Sequence, residues 1–256
     1  MTWRHLDTLL IGIVIGFLGG LFGKGGSAMA TPLLSLIGLP GFVAIASPLP
    51  ATVPGTVLAS MEYWRSNLLD WEIIGWSIAV GTPAIIAGSF LTHLVGSRPL
   101  LAVTGILVLG FGLWFLLFPS GKSLAQFAAE NPGGARPSHW RLRLLSVAAG
   151  VGLVSGLLAN AGGFLLVPSY ANFLRQPIKK AFACSLAVSS VLALPGTVVH
   201  AYLGHISWPV TALVALGSIP SSYMGARLAL RTRSAQLERW YGFALTALGA
   251  FFLFKM

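Results

Sequence analysis

The chain is predominantly apolar from Leu9 to Leu39 except at one break, Gly23-Lys24-Gly25-Gly26. The same arrangement returns from Leu142 to Leu174, with its break at Asn160-Ala161-Gly162-Gly163. Glycine costs a helix interior about 0.8–1.0 kcal/mol relative to alanine. Three glycines around a charge therefore interrupt a helix instead of continuing it. Irregular backbone inside an apolar layer survives only where protein buries it or where it lines a polar cavity. Each broken segment is followed by three further apolar runs. These lie at about Phe42–Tyr63, Ile73–Val95 and Leu100–Phe118 in the first half, and Ala181–Tyr202, Pro209–Ala226 and Trp240–Phe254 in the second. Most approach the ~20 residues that cross about 30 Å of hydrocarbon as a helix. Polar Ser120–Trp140 between them, rich in Gly and Pro, reads as a linker.

Laid against itself, the sequence repeats at an offset of 137 positions: Gly19 matches Gly156, Gly25-Gly26 match Gly162-Gly163, Pro40 matches Pro177, Trp71 matches Trp208 and Pro83 matches Pro220. A register this long, held by glycines and prolines, marks a duplicated unit. Residues 1–119 form the first repeat (broken helix 9–39), 120–140 the linker, and 141–256 the second repeat (broken helix 142–174). Pro54-Gly55-Thr56-Val57 also resembles Pro195-Gly196-Thr197-Val198, at a different offset, and is read as accidental.

The broken segments either cross as kinked helices or enter and return as hairpins, and the loop charges separate the two. Two full crossings divide the loop Lys and Arg residues seven against eight, which is no bias. Two hairpins gather twelve on one side, Arg65, those from Lys122 to Lys180 and those from Arg227 to Arg239, and leave only Arg4, Arg98 and Lys255 opposite. Basic loops collect on the cytoplasmic side. The hairpin reading is preferred, with both termini outside, a cytoplasmic linker, and two repeats of inverted orientation. The expected fold is all-α and polytopic, each repeat a Gly-rich broken or re-entrant hairpin plus three transmembrane helices.

Composition agrees with this class. Of 256 residues 55% are hydrophobic and 9% charged, and mean hydropathy is +0.82; soluble domains carry about 25% charged residues. The net charge of +10 would point to nucleic acid in a soluble protein; here the basic residues set topology, and no nucleic-acid partner is expected. The single Cys184 excludes an intrachain disulfide or a thiolate cluster. Leu9–Leu18 has the look of a signal-peptide core, but the same segment type recurs internally at Leu145–Leu158, where no signal would stand.

The candidate chemistry sits at the breaks. Each tip starts a half-helix whose first N–H groups lack intrahelical partners and whose positive end favours an anion. Interrupted segments in matching halves point to a transporter's binding site. Gly23, Gly25, Gly26, Gly162 and Gly163 let backbone approach a ligand, Lys24 supplies a counter-charge, and Ser27 and Asn160 add donors. The alternatives are a Lys24 that snorkels to an interface and glycines that only pack helices, as Gly12, Gly16, Gly88 and Gly225 are read to do. Ser47 and the pair Cys184-Ser185 take matching places after each hairpin and extend the candidate site. Cys184 reads as a small packing residue and not a reactive thiol; either serine could equally bond its own i−4 carbonyl. Among acidic residues only Glu62 is placed within a span. With His200 it is a candidate for coupling transport to protons, though interfacial or structural roles fit as well. No paired carboxylates, metal-ligand spacing or nucleophile set suggests an enzyme, and no cofactor or metal is expected.

At GGLFGKGGSAMATPLLSLIGLP with AIASPLPATVPG, and again at SGLLANAGGFLLVP with AFACSLAVSSV, the chain resembles the sulfite exporter TauE/SafE family of membrane permeases. The resemblance covers the whole chain. It implies export of a sulfur-containing oxyanion, such as sulfite or a small organosulfonate, across a prokaryotic cytoplasmic membrane. The chain departs from the family at Lys24, where an apolar residue is usual, at Ser27, where a glycine is, and at Asn160-Ala161. The reading from sequence is thus a secondary transporter of a small anion, working by alternating access as a monomer or homodimer. A passive anion channel, or a membrane-embedded enzyme, stands as the alternative.

Overall fold

The computed structural model describes residues 2–23, 27–118 and 139–255, and the described residues fold into eleven helices with no strand. In chain order they are α1 (Thr2–Phe22), α2 (Ser27–Leu36), α3 (Gly41–Ala46), α4 (Pro48–Arg65), α5 (Trp71–Val95), α6 (Ser97–Leu117), α7 (Trp140–Leu157), α8 (Gly163–Asn172), α9 (Ile178–Tyr202), α10 (Trp208–Arg231) and α11 (Ser234–Lys255). The broken segments are α1–α2 and α7–α8; most of the linker lies outside the described residues. Local chemistry sets several boundaries. Asp70 caps α5 by accepting from the Ile73 N–H at 3.3 Å. Pro48 opens α4, where its missing N–H costs nothing. Gly96, at φ +80, turns α5 into α6.

Six helical segments are long and apolar enough to cross a membrane: His5–Phe22, Gly41–Arg65, Trp71–Thr92, Ser97–Leu117, Trp140–Leu157 and Ile178–Tyr202. The expected spans at 209–226 and 240–254 form as the longer helices α10 and α11 and are not in that set. For α10 the reason is visible: the sequence of its buried face includes Thr211, Ser218, Ser221 and Ser222, which protein covers. Likewise α11 begins at Ser234, well before the expected Trp240, and brings in Glu238 and Arg239.

Residue-level contacts fix which way the helices run. Thr211 meets Ser47, Ser218 meets Ala51 and Arg227 meets Glu62, so α4 and α10 are parallel. Asp70 meets Cys184 and Gly81 faces Leu192, so α5 and α9 are parallel. Gly105 faces Phe252 and Gly112 faces Thr246, so α6 and α11 are antiparallel. Gly12, Gly16 and Gly20 of α1 face Val214, Ser218 and Ser222 of α10, while Gly152 and Gly156 of α7 face Gly81 and Ile85 of α5. α1 therefore lies against α10, and α7 against α5, each pair in parallel.

At these two contacts the glycines act by absence. A Cβ on Gly12 would stand 2.7 Å from the Val214 carbonyl oxygen, and one on Gly20 would fall on the Ser222 carbonyl. Small residues four apart let helix backbones touch. This is the packing role expected of Gly12, Gly16, Gly88 and Gly225.

Both broken segments go out and come back. Gly20 sits beside the Tyr63 hydroxyl near the end of α4, whereas Gly41, after α2, lies against Ser97 at the start of α6. In the second segment α7 reaches Thr92 at the end of α5, and α8 returns to place Tyr170 Oη 2.7 Å from Ser77 Oγ near the start of α5. The end of the bundle that carries Arg65, Arg141, Arg175, Lys179 and Arg231 is called the basic end below; the α9–α10 turn and the start of α4 mark the opposite end.

Candidate functional site

The second hairpin tip is a tight, buried turn. Ala159 takes φ +47 and Gly162 φ +85. Asn160 Oδ1 accepts from the Gly162 N–H at 3.0 Å, closing the turn through its side chain. Gly162 then caps α8, its carbonyl accepting from both Leu165 and Leu166 N–H at 2.9 and 2.8 Å. Among the described residues no hydrogen bond is found for the N–H groups of Gly163 and Phe164, which are buried. They are orphan donors at the positive end of a ten-residue helix.

Hydroxyls complete the cradle. Ser155 Oγ is fully buried, has no hydrogen-bond partner among the described residues, and lies 3.1 Å from where a Cβ on Gly162 would stand. Ser185 Oγ donates to the Gly163 carbonyl at 3.1 Å and so ties α9 to the tip. Ser189 is one turn further along α9, on the same face; it too is fully buried, with no partner among the described residues. Ala193, a turn beyond, packs with Ala161 and Leu49, so the stripe Ser185–Ser189–Ala193 follows the tip. Burying a hydroxyl without a partner costs about 1–3 kcal/mol on protein scales. Among the described residues, Ser155 and two orphan N–H donors leave an incomplete hydrogen-bonding set at the tip, with Ser189 on the α9 face that follows it.

Of the residues singled out from sequence, Asn160, Gly162, Gly163 and Ser185 meet here. At the first tip Gly23, at φ +68, lies against Phe182, in an aromatic cluster of Phe22, Phe182, Tyr241 and Phe115. Lys24, Gly25 and Gly26 lie outside the described residues, as does the side chain of Ser27, whose backbone opens α2.

Ser47 and Cys184 are engaged elsewhere. Ser47 Oγ accepts from the Ser207 N–H at 2.9 Å, and Cys184 Sγ accepts from the Asp70 N–H at 3.4 Å. Ser47 and Cys184 are 137 positions apart, and so are Asp70 and Ser207. Ser47, just before α4, thus holds the N-terminus of α10, and Cys184 of α9 that of α5, each by a side chain accepting from a backbone N–H. Matched small polar residues read as a path from sequence; their place in the fold is a cross-repeat clasp.

The two coupling candidates also separate. Glu62 is largely buried at the basic end, its carboxylate held by Arg65 Nη1 at 2.9 Å and Arg227 Nε at 3.3 Å. That pairing keeps a charged carboxylate in place. His200 is fully buried at the opposite end against the hairpin that carries the tip. Sequence reasoning passed over Ser155, Ser189 and His205, and also Glu238, which is 1% exposed in α11. Glu238, Tyr241 and Leu245 repeat at helical spacing, a signal lost when the helix is started at Trp240.

Comparison with known proteins agrees with the architecture. Residues 8–252 match the family described as Sulfite exporter TauE/SafE. A probable membrane transporter protein of Xylella fastidiosa is 28% identical over 257 residues, covering 97% of this chain and 94% of that protein. One from Methanocaldococcus jannaschii is 24% identical, covering 96% and 94%, and YunE of Bacillus subtilis, also named a probable membrane transporter protein, is 23% identical, covering 86% and 85%. No solved structure matches. The chain belongs to the TauE/SafE family, and it is a multi-pass membrane transporter.

Proposed function

We propose that this member of the TauE/SafE family carries a small anion, a sulfur-containing oxyanion such as sulfite or an organosulfonate, outward across a prokaryotic cytoplasmic membrane by alternating access. The observation that carries the reading is the buried first turn of α8, where the Gly163 and Phe164 N–H groups and the Ser155 hydroxyl stand without partners. A pyramidal oxyanion spreads its charge over three oxygens and suits several neutral donors. The helix terminus contributes up to about 2 kcal/mol, and each hydrogen bond to a charged group about 1.5–3 kcal/mol. Together they offset a desolvation cost of several kcal/mol. Family membership supports the sulfur chemistry.

Alternating access draws support from the helix directions. α4 and α9, counterparts in the two repeats, run opposite ways, as α1 and α7 do, which suits two inverted repeats hinged across the clasps at Ser47 and Cys184. The basic end is then cytoplasmic and both termini are outside. A reporter fused after Lys255 is expected to register outside; a cytoplasmic signal would reverse the orientation.

Binding tests the site itself. Ser155→Ala and Ser189→Ala remove hydroxyls that bond nothing in the described structure, so thermal stability is expected to hold or rise slightly. Sulfite affinity, measured calorimetrically on the detergent-solubilised protein, is expected to fall about tenfold or more in each, from a lost bond of ~1.5 kcal/mol or more. Unchanged affinity in both variants would remove the tip as the binding site.

A further inference from the structure

Behind the second tip, at the opposite end, two histidines lead from the rim of the protein to the hairpin backbone. His205, half-buried in the turn between α9 and α10, stacks on Phe42 with ring centroids 4.3 Å apart and planes within 3°. Its Nδ1 lies 3.2 Å from Nδ1 of His200, in the last turn of α9. His200 Nε2 lies 3.4 Å from the carbonyl oxygen of Gly156, which also accepts from Thr92 Oγ1 at 3.2 Å. Gly156 is in the last turn of α7, immediately before the Ala159–Gly162 turn.

The hydrogens follow from the partners. A carbonyl only accepts, so His200 Nε2 carries its hydrogen; in the neutral ring Nδ1 then accepts, and the hydrogen between the rings belongs to His205. This arrangement has one further state. A proton taken up by His205 at Nε2 lets its Nδ1 hydrogen pass to Nδ1 of His200. An N–H bond forms at His205 Nε2 and another at His200 Nδ1, while the one at His205 Nδ1 breaks. The charge ends on the buried His200 ring with both its hydrogens still bonded, one to Gly156 and one to His205.

The matching position in the first repeat shows that the bond itself needs no titrating group. Tyr63, 137 positions before His200, donates to the Gly20 carbonyl at 3.3 Å. Both α4 and α9 thus bond the carbonyl of a residue near the end of a hairpin helix, and at α9 the bond is made by a ring that can take a proton.

We infer that the His200–His205 pair binds the proton that couples to anion binding at the adjacent tip, an inference that rests on the anion reading above. His205 is the titratable neighbour of His200 among the described side chains; His93, near Thr92, has a side chain outside the description. Toward the basic end stand Glu62, Tyr63 and Arg65 of α4, Glu72 of α5, Arg141 and Arg143 of α7, Tyr170 of α8, and Glu238, Arg239 and Tyr241 of α11; at the opposite end are exposed Tyr202 of α9 and exposed His5 and Asp7 of α1, the helix that packs on α10. From α10 come Tyr223, Arg227 and Arg231, also at the basic end. Arg98, next to Ser97 at the start of α6 where Gly41 packs, is exposed. The carboxylate described at this end, Asp7 of α1, is exposed. Coupling of this kind is reciprocal: the proton tightens the anion, and the anion raises the proton affinity of the pair. With an effective dielectric of about 20 and a separation on the order of 10 Å, one unit charge changes the affinity of a monoanion roughly tenfold, and of a dianion more.

Thiosulfate is a suitable probe, because it stays a dianion throughout the imidazole range of about pH 5 to 8. Calorimetric titration of the full-length protein in detergent is expected to show affinity rising roughly tenfold or more from the alkaline to the acid end of that range, with proton uptake on binding. His200→Gln and His205→Gln keep hydrogen-bonding groups at both positions. They are expected to bind with the weaker, alkaline affinity at every pH; an undiminished pH dependence in both overturns the inference. Should thiosulfate fail to bind at any pH, the sulfur-oxyanion reading falls, and the pair is judged separately by ¹⁵N NMR of histidine-labelled protein. There the two rings are expected to take up one shared proton, and His205→Gln to shift the titration of His200. Independent titrations, or none above about pH 5, overturn it.

Discussion

Replacing Gly20 with leucine is expected to prevent the protein from accumulating as a folded species in the membrane. A Cβ there falls on the Ser222 carbonyl of α10, and the next atoms met, the Ser222 carbonyl carbon at 2.8 Å and Cα at 3.0 Å, are also backbone. No flexible side chain can move aside. Overpacking in ordinary cores costs about 1–3 kcal/mol because neighbouring side chains give way; a backbone-to-backbone contact has only helix separation as its response. Moving α1 off α10 would also strain the Tyr63–Gly20 bond and disturb Phe22, which packs against Phe182 and Tyr241. Gly110→Leu in α6 is the control, since a Cβ at Gly110 meets nothing within 4 Å. It is expected to be neutral or slightly stabilising, by up to about 1 kcal/mol from helix propensity. Yield and monodispersity after detergent extraction compare the two; equal behaviour would mean that α1 does not bear on α10 as closely as the fold implies.

How much of this was legible in the sequence depends on whether one residue or two are needed to see it. The broken helices were visible because glycine interrupts a helix wherever it is packed, and both breaks fall where they were expected, at Gly23 and at Asn160–Gly162. That Gly12 and Gly16 pack closely was visible too, since four-residue spacing puts them on one stripe. Their partner was not: a stripe says which face is close to something, and only the fold says that α1 crosses to the other repeat's α10. The polar residues were hardest. Ser47 and Cys184 were noticed because they match across the repeats, but a match does not distinguish lining a path from clasping a helix. Ser155 and Ser189 stand in apolar helices beside hydroxyls such as Ser146 and Thr104, which bond carbonyls of their own helix at 2.9 and 2.8 Å. Which serine turns back to its own backbone and which stays open is decided by the neighbouring helix, in this case the returning tip. The PGTV pair, read as accidental, stays off the 137-position register; Pro54 lies inside α4 and Pro195 inside α9.

A graded series at Gly162 tests whether the tip is a binding element. At φ +85 an L-residue is strained by roughly 1–2 kcal/mol, least for asparagine and most for a β-branched side chain. Any Cβ also arrives 3.1 Å from Ser155 Oγ, closer than side chains ordinarily pack, and crowds that hydroxyl. Gly162→Val is therefore expected to abolish anion binding and transport while the protein still reaches the membrane, because the strain is local and Ser185 and Leu166 continue to hold α8. Gly162→Ala should weaken binding about tenfold, from ~1.4 kcal/mol of strain that the bound geometry cannot relax. Gly162→Asn should fold close to normally yet bind poorly, since its backbone cost is small while its side chain fills the cradle. That last comparison separates the two roles of the glycine. If Gly162→Asn and Gly162→Val bind sulfite as the parent does, measured in the same titration, the open donors of Gly163, Phe164 and Ser155 belong to helix packing and the anion lies elsewhere.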